Sequence, residues 1–190
     1  MSNLLLLILC VLQAILMVAI CGVGVIALYF AFNSGFMRNP PPVPSTGKIK
    51  KAMIEAVARR LAKKDKQIVM DLGAGWGTLL LPLAKKFPKH TFVGIEYGYL
   101  PYIISKFRAR KMPNLSFVRQ NLFDADISKA DVIFLFLLNS AMPKIENKCQ
   151  KEAKPGALIY VNRFPMPNLK AKQEISFGTK YDTCYVYEIK

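Results

Sequence analysis

Apolar residues run almost unbroken from Leu4 to Phe32, with Gln13 the only conventionally polar side chain among them. A helix needs ~20 such residues to cross a bilayer, so the pattern predicts a transmembrane helix over residues 4–32, behind a short N-terminal end at 1–3. A cleaved signal peptide fits less well, because its apolar region would be ~7–15 residues long behind a basic start, and no Lys or Arg precedes this one. A buried core helix would need more surrounding protein than the remaining chain provides. Residues 33–47 hold Pro40, Pro41, Pro42 and Pro44, which cannot continue a helix and predict a stiff extended linker. Ser45 or Thr46 is suited to cap the helix that follows.

The period then changes. From Lys48 to Lys64, Ile49, Ala52, Met53, Ala56, Val57 and Leu61 recur three and four residues apart among lysines and arginines, the mark of a helix with one buried face. Short apolar runs with turn residues at their ends predict strands at 68–72, 90–97, 115–120, 130–138 and 157–164. Helices are predicted between them at 78–86, 101–111 and 143–153. The run at 130–138 is apolar almost throughout, which places it in the middle of a sheet covered on both faces. Pro165 and Pro167 interrupt the tail, and residues 174–178 and 184–189 read as a final antiparallel hairpin. Strands alternating with helices at this spacing predict a mostly parallel αβα sandwich over residues 48–190.

Charge sharpens this division. Every charged side chain follows the apolar segment, starting at Arg38, so the formal net charge of +15 belongs wholly to the remainder. The positive-inside bias then keeps the C-terminal domain on the cytoplasmic side, or the matrix side in a mitochondrion. Basic groups near an anionic leaflet gain on the order of 1 kcal/mol each, so the membrane surface is the partner the charge implies. Nucleic acid is a weaker candidate, since no RNA-binding signature, zinc pattern or regular basic–aromatic helix is present. Cys149 and Cys184 belong to no C-x-x-C pair, and the single histidine, His90, lacks neighbours at ligand spacing. Neither a metal site nor a disulfide framework is expected.

The chemistry concentrates in Ile68-Val69-Met70-Asp71-Leu72-Gly73-Ala74-Gly75-Trp76-Gly77-Thr78, a buried-strand pattern ending in an acid and three alternating glycines. Glycine lets the backbone turn at positive φ and present bare N–H groups to a ligand. A dinucleotide fingerprint would need its third glycine at position 78; here it falls at Gly77, which disfavours pyrophosphate. A second acid, Glu96, closes the following strand, Thr91-Phe92-Val93-Gly94-Ile95-Glu96. Asp-x-Gly-x-Gly-x-Gly followed by an acid ending the second strand resembles motif I of the class I S-adenosylmethionine-dependent methyltransferases.

Further elements are similar to the small membrane-anchored lysine methyltransferases that modify the membrane-ring protein of ATP synthase and the adenine nucleotide translocator, and to their bacterial relatives. They are Val43-Pro44-Ser45, Gly94-Ile95-Glu96, Ser105-Lys106-Phe107-Arg108-Ala109 and Arg163-Phe164-Pro165-Met166-Pro167. The resemblance implies S-adenosyl-L-methionine as cofactor, bound by Asp71, Gly73, Ala74, Gly75, Gly77, Glu96, Tyr97, Asn121 and Leu122, with Glu96 on the ribose hydroxyls. It implies a protein-lysine acceptor at or in the membrane. Asn139, leaving the fourth strand, would orient the amine, with Tyr99 or Tyr102 as a wall. Trp76, Gly98-Tyr99 and Asn121 depart from the family pattern, as does Pro42, which replaces an aromatic residue before Val43. An Asn121 carbonyl can still accept from an adenine amino group. A small lipophilic or nucleic-acid acceptor is the alternative reading, and a non-catalytic membrane-tethered module with a relict fold is another.

Overall fold

The N-terminal helix α1 (Asn3–Asn33) is apolar on every side. Within it, Asn3–Tyr29 contains an 18-residue stretch with a mean hydropathy of 3.1, none of it buried. It is long and apolar enough to cross a membrane, and the same length and composition would suit a signal sequence. The structure is a computed structural model that describes residues 3–33, 47–176 and 183–190. Contacts divide the chain into two units, Met1–Val43 and Pro44–Lys190. Asn33 and Gly47, the two ends of the predicted proline linker, belong to α1 and α2; the rest of the linker, its Ser45 or Thr46 cap, the Val43-Pro44-Ser45 element and the end of the first hairpin strand lie outside the described residues.

The second unit carries α2 (Gly47–Leu61), β1 (Ile68–Leu72), α3 (Leu80–Lys86), β2 (Thr91–Glu96), α4 (Tyr99–Ala109), β3 (Leu115–Arg119), β4 (Val132–Leu135), α5 (Met142–Glu152), β5 (Leu158–Asn162), β6 (Gln173–Ser176) and β7 (Thr183–Glu188). The strands form one seven-stranded sheet in the order β3-β2-β1-β4-β5-β7-β6. β1 to β5 are parallel, and β7 pairs antiparallel with both β5 and β6. The apolar fourth strand is central, as its composition predicts.

Alternation sorts the side chains into two layers. Val69, Phe92, Phe117 and Phe134 face the layer that holds Met53, Val57 and Leu61 of α2. Met70, Leu72, Ile133 and Ile159 face the layer that holds Met142, Ile145 and Cys149 of α5. Asp71 has the parity of Val69, so the sheet points its carboxyl into the α2 layer.

Element ends differ from the pattern by local bonding. Rather than running to Leu138, β4 stops at Leu135, where its neighbour β1 also ends, at the paired Leu72. α4 begins two residues earlier than predicted, since Pro101 is tolerated in a first turn and Tyr102 N–H already reaches the Gly98 carbonyl at 3.0 Å. α3 is assigned from Leu80, but Leu81 N–H bonds the Gly77 carbonyl at 3.1 Å, so its first turn winds directly out of the glycine loop.

Candidate active site

The glycine loop leaves the carboxyl end of β1 between two parallel neighbours. Gly73 and Ala74 N–H groups both donate to the Ile95 carbonyl at 2.9 Å, which ties the loop to β2. Gly73, Gly75 and Gly77 have φ of 93°, 52° and 72°, a region costly for residues with a Cβ. Gly77 has a second constraint. A Cβ there would lie 2.6 Å from Phe117 Cζ, and one on Gly94 would lie 2.4 Å from the same ring. The two glycines therefore make the slot into which Phe117 of β3 packs beside the loop. The apolar pattern places Phe117 on a strand but does not reveal this role.

Glu96 is the centre of the arrangement. One carboxylate oxygen accepts from Gly75 N–H at 2.7 Å and the other from Gly98 N–H at 2.6 Å. A carboxylate oxygen has more than one acceptor direction, so both oxygens keep capacity for hydroxyl donors. Gly98, which in the sequence is only a departure from the family pattern, is thus the amide that orients the acid. Asp71 is 6% exposed on the adjacent strand. Burial, and after it the charge of Glu96, pushes its carboxyl up to about 7. Among these groups Asp71 is the one poised to gain from a nearby cation.

The other predicted residues sit along the same edge of the sheet. Tyr97 and Tyr99 are about half exposed, and the Arg119 guanidinium lies 5.2 Å from the Tyr99 ring centre. Gln120 N–H bonds the Glu96 carbonyl at 3.2 Å, which carries Asn121 alongside. Asn121 Oδ1 accepts from Phe123 N–H at 3.1 Å and retains one acceptor direction. Leu122 is half-buried against the α5 layer. On the β4 side, a Cβ on Gly73 would meet Leu137 at 3.5 Å, so the chain just before Asn139 borders the loop. Asn139 is exposed and opens a short 3-10 turn, Asn139–Ala141. The Trp76 carbonyl accepts from Arg108 of α4 at 2.6 Å, and its side chain is half-buried.

These residues fit S-adenosyl-L-methionine. Gly73 is exposed and bare of side chain, Glu96 is held by two amides with acceptor capacity to spare, and Asp71 is a buried acid that a cation would ionise.

Comparison with known proteins agrees with this reading. Residues 71–173 match the family model of the ANTKMT methyltransferase domain. The chain is 30% identical over 166 residues to a protein-lysine N-methyltransferase of Saccharolobus islandicus, covering 81% of this chain and 96% of that protein. It is 27% identical over 154 residues to the Xenopus laevis lysine N-methyltransferase named for the C subunit of ATP synthase, covering 78% of this chain and 63% of that relative's length. Among solved structures, an RNA methyltransferase from Salinibacter ruber in complex with S-adenosyl-L-homocysteine superposes with a TM-score of 0.69 at 25% identity, covering 77% of this chain and 94% of that one.

Proposed function

Because the chain belongs to the ANTKMT methyltransferase family and is an S-adenosyl-L-methionine-dependent methyltransferase, we propose that it methylates a lysine amine of a protein at or in a membrane. The observation that carries the lysine reading is the likeness to the archaeal protein-lysine N-methyltransferase over 96% of that protein's length. The membrane reading is supported by the apolar helix at Asn3–Tyr29 and by the confinement of all charge to the residues after it. The helix is then a single-pass anchor, residues 33–47 the linker, and the domain lies on the cytoplasmic or matrix side, where basic residues are retained.

In this reading Gly73, Ala74, Gly75 and Gly77 form the bed for the cofactor's methionyl part, Glu96 holds the ribose hydroxyls, and Asp71 balances positive charge. Tyr97, Asn121 and Leu122 line the adenine side. The bound cofactor supplies an electrophilic methyl group on a sulfonium. The protein's task is to bring a neutral amine in line with it and exclude water. Asn139 accepts a hydrogen bond from that amine through its side-chain carbonyl, and Tyr99, with Tyr102, walls its path. Removal of an ammonium from water beside such groups lowers its pKa and favours the free amine.

The test is incubation of the full chain with membranes and methyl-labelled cofactor, followed by peptide mass spectrometry. Methyl-lysine in a membrane protein is expected, with Asn139→Ala lowering turnover at least ten-fold while cofactor affinity holds. Label confined to nuclease-sensitive or solvent-extractable material would overturn the lysine reading. The nucleic-acid outcome is the second reading, favoured by the Salinibacter ruber neighbour and the +15 charge.

A further inference from the structure

Few large hydrophobic side chains are exposed among the described residues of the second unit. They are Tyr97, Tyr99, Ile103, Phe107, Val118 and Leu138, and three of them fall on α4. Tyr99, Ile103 and Phe107 are spaced by four residues, so they form one stripe along the outer face of that helix. They are 52%, 41% and 62% exposed. Aromatic and aliphatic groups at such exposure normally turn inward on an amphipathic helix, and here the opposite side of α4 already buries Pro101, Ser105 and Ala109.

Cations flank the stripe. Lys106 and Arg110 project from the same face by helical spacing. Lys106 Nζ lies 5.5 Å from the Tyr102 ring centre, and the Arg110 guanidinium lies 3.8 Å from that of Phe107. Between Glu96 and Asp124 no acidic residue occurs, while Lys106, Arg108, Arg110, Lys111 and Arg119 do. A helix face that joins aromatic rings to basic side chains, with no acid within the helix, complements an anionic lipid headgroup layer. Rings settle at the boundary of acyl chain and headgroup, and Lys and Arg extend to the phosphates.

We propose that the outer face of α4 docks in the plane of an anionic bilayer, with Ile103 and Phe107 inserted at the interface and Lys106 and Arg110 on lipid phosphates. This rests on the reading that the chain resides at a membrane, and it adds which face of the domain meets the lipid. One consequence concerns the site. Tyr99 begins α4 beside the β2 end that carries Glu96, so docking sets the mouth of the active site at headgroup level. Arg108 leaves the opposite side of the helix for the Trp76 carbonyl, which ties the docked helix to the glycine loop.

The test uses the full chain in lipid nanodiscs of phosphatidylcholine alone or with anionic phosphatidylglycerol, followed by hydrogen exchange of residues 99–109. Slower exchange of α4 is expected in the anionic discs at low salt and not in the neutral ones. Lys106→Ala with Arg110→Ala should lower the docked-to-free ratio roughly 30-fold, two charges at the strength an anionic surface gives close basic groups. Ile103→Ser with Phe107→Ser should abolish the protection while circular dichroism stays unchanged, since both side chains are exposed. Exchange of α4 that is the same in both lipids overturns the proposal. So does protection that grows with protein concentration, which marks a second copy, or that needs an added protein substrate. Protection of residues 3–29 reports the anchor separately, and no turnover is needed. Failure of the anchor or of the lysine reading is therefore distinguishable from failure of the docking face.

Discussion

Replacing Asp71 by asparagine should strengthen the cofactor-free fold and weaken the enzyme. The carboxyl of Asp71 is 6% exposed and is pushed from an ordinary 3.8 to about 7, first by burial and then by Glu96. A carboxyl whose folded value is raised contributes stability that is complete below pH 3.8 and is lost as pH rises through about 7. At pH 8 that loss amounts to about 4 kcal/mol, from roughly three decades of proton affinity at 1.36 kcal/mol each. An amide carries no charge to desolvate. Asp71→Asn is therefore expected to unfold later in urea at pH 8 by up to about 4 kcal/mol, with the gain shrinking to about 0.5 kcal/mol at pH 4. Cofactor binding should run the other way. A ligand with a sulfonium and an ammonium favours the ionised acid, so its Kd should weaken about 100-fold between pH 8 and pH 5, ten-fold for each pH step below about 7. Calorimetry of the full chain at four pH values checks this, with Asp71→Asn weak and flat across the range. A wild-type Kd that does not change with pH would refute the electrostatic role. An Asp71→Asn protein that is less stable than wild type at pH 8 would refute the burial cost.

Three further outcomes follow from packing. Gly77→Ala combines a φ of 72° with a Cβ placed 2.6 Å from Phe117 and should cost about 2 kcal/mol or more in thermal unfolding, of which Phe117→Leu recovers only the steric part. Glu146 is 1% exposed and accepts the Asn168 N–H on both oxygens, at 3.2 and 3.1 Å; Glu146→Ala should cost about 1.5–3 kcal/mol and open residues 163–172 to hydrogen exchange, with Glu146→Gln milder. Burial pushes the thiols of Cys149 and Cys184 up to about 12, so at pH 8 both should resist an aromatic disulfide reagent until the protein is unfolded.

Local pattern carried much of this protein. The nearly unbroken apolar run marks α1, the alternation of strands and helices marks the sheet, and the near-continuous apolarity of residues 130–138 places β4 at its centre, because burial on both faces leaves no polar side to the sequence. The loop glycines and Glu96 were legible for a related reason: positive φ and a strand-ending acid are backbone requirements that few residue types meet. Tertiary structure alone decided that the Gly75 amide holds Glu96, because the two meet only when β1 and β2 end side by side, whereas Gly98 reaches Glu96 from two residues along the chain. It decided that Gly77 and Gly94 make room for Phe117, a contact between residues far apart in the chain that no local period encodes. It also decided that Ile103 and Phe107 remain outside. Composition says that a side chain prefers to leave water, and only the packed fold determines whether protein is there to receive it.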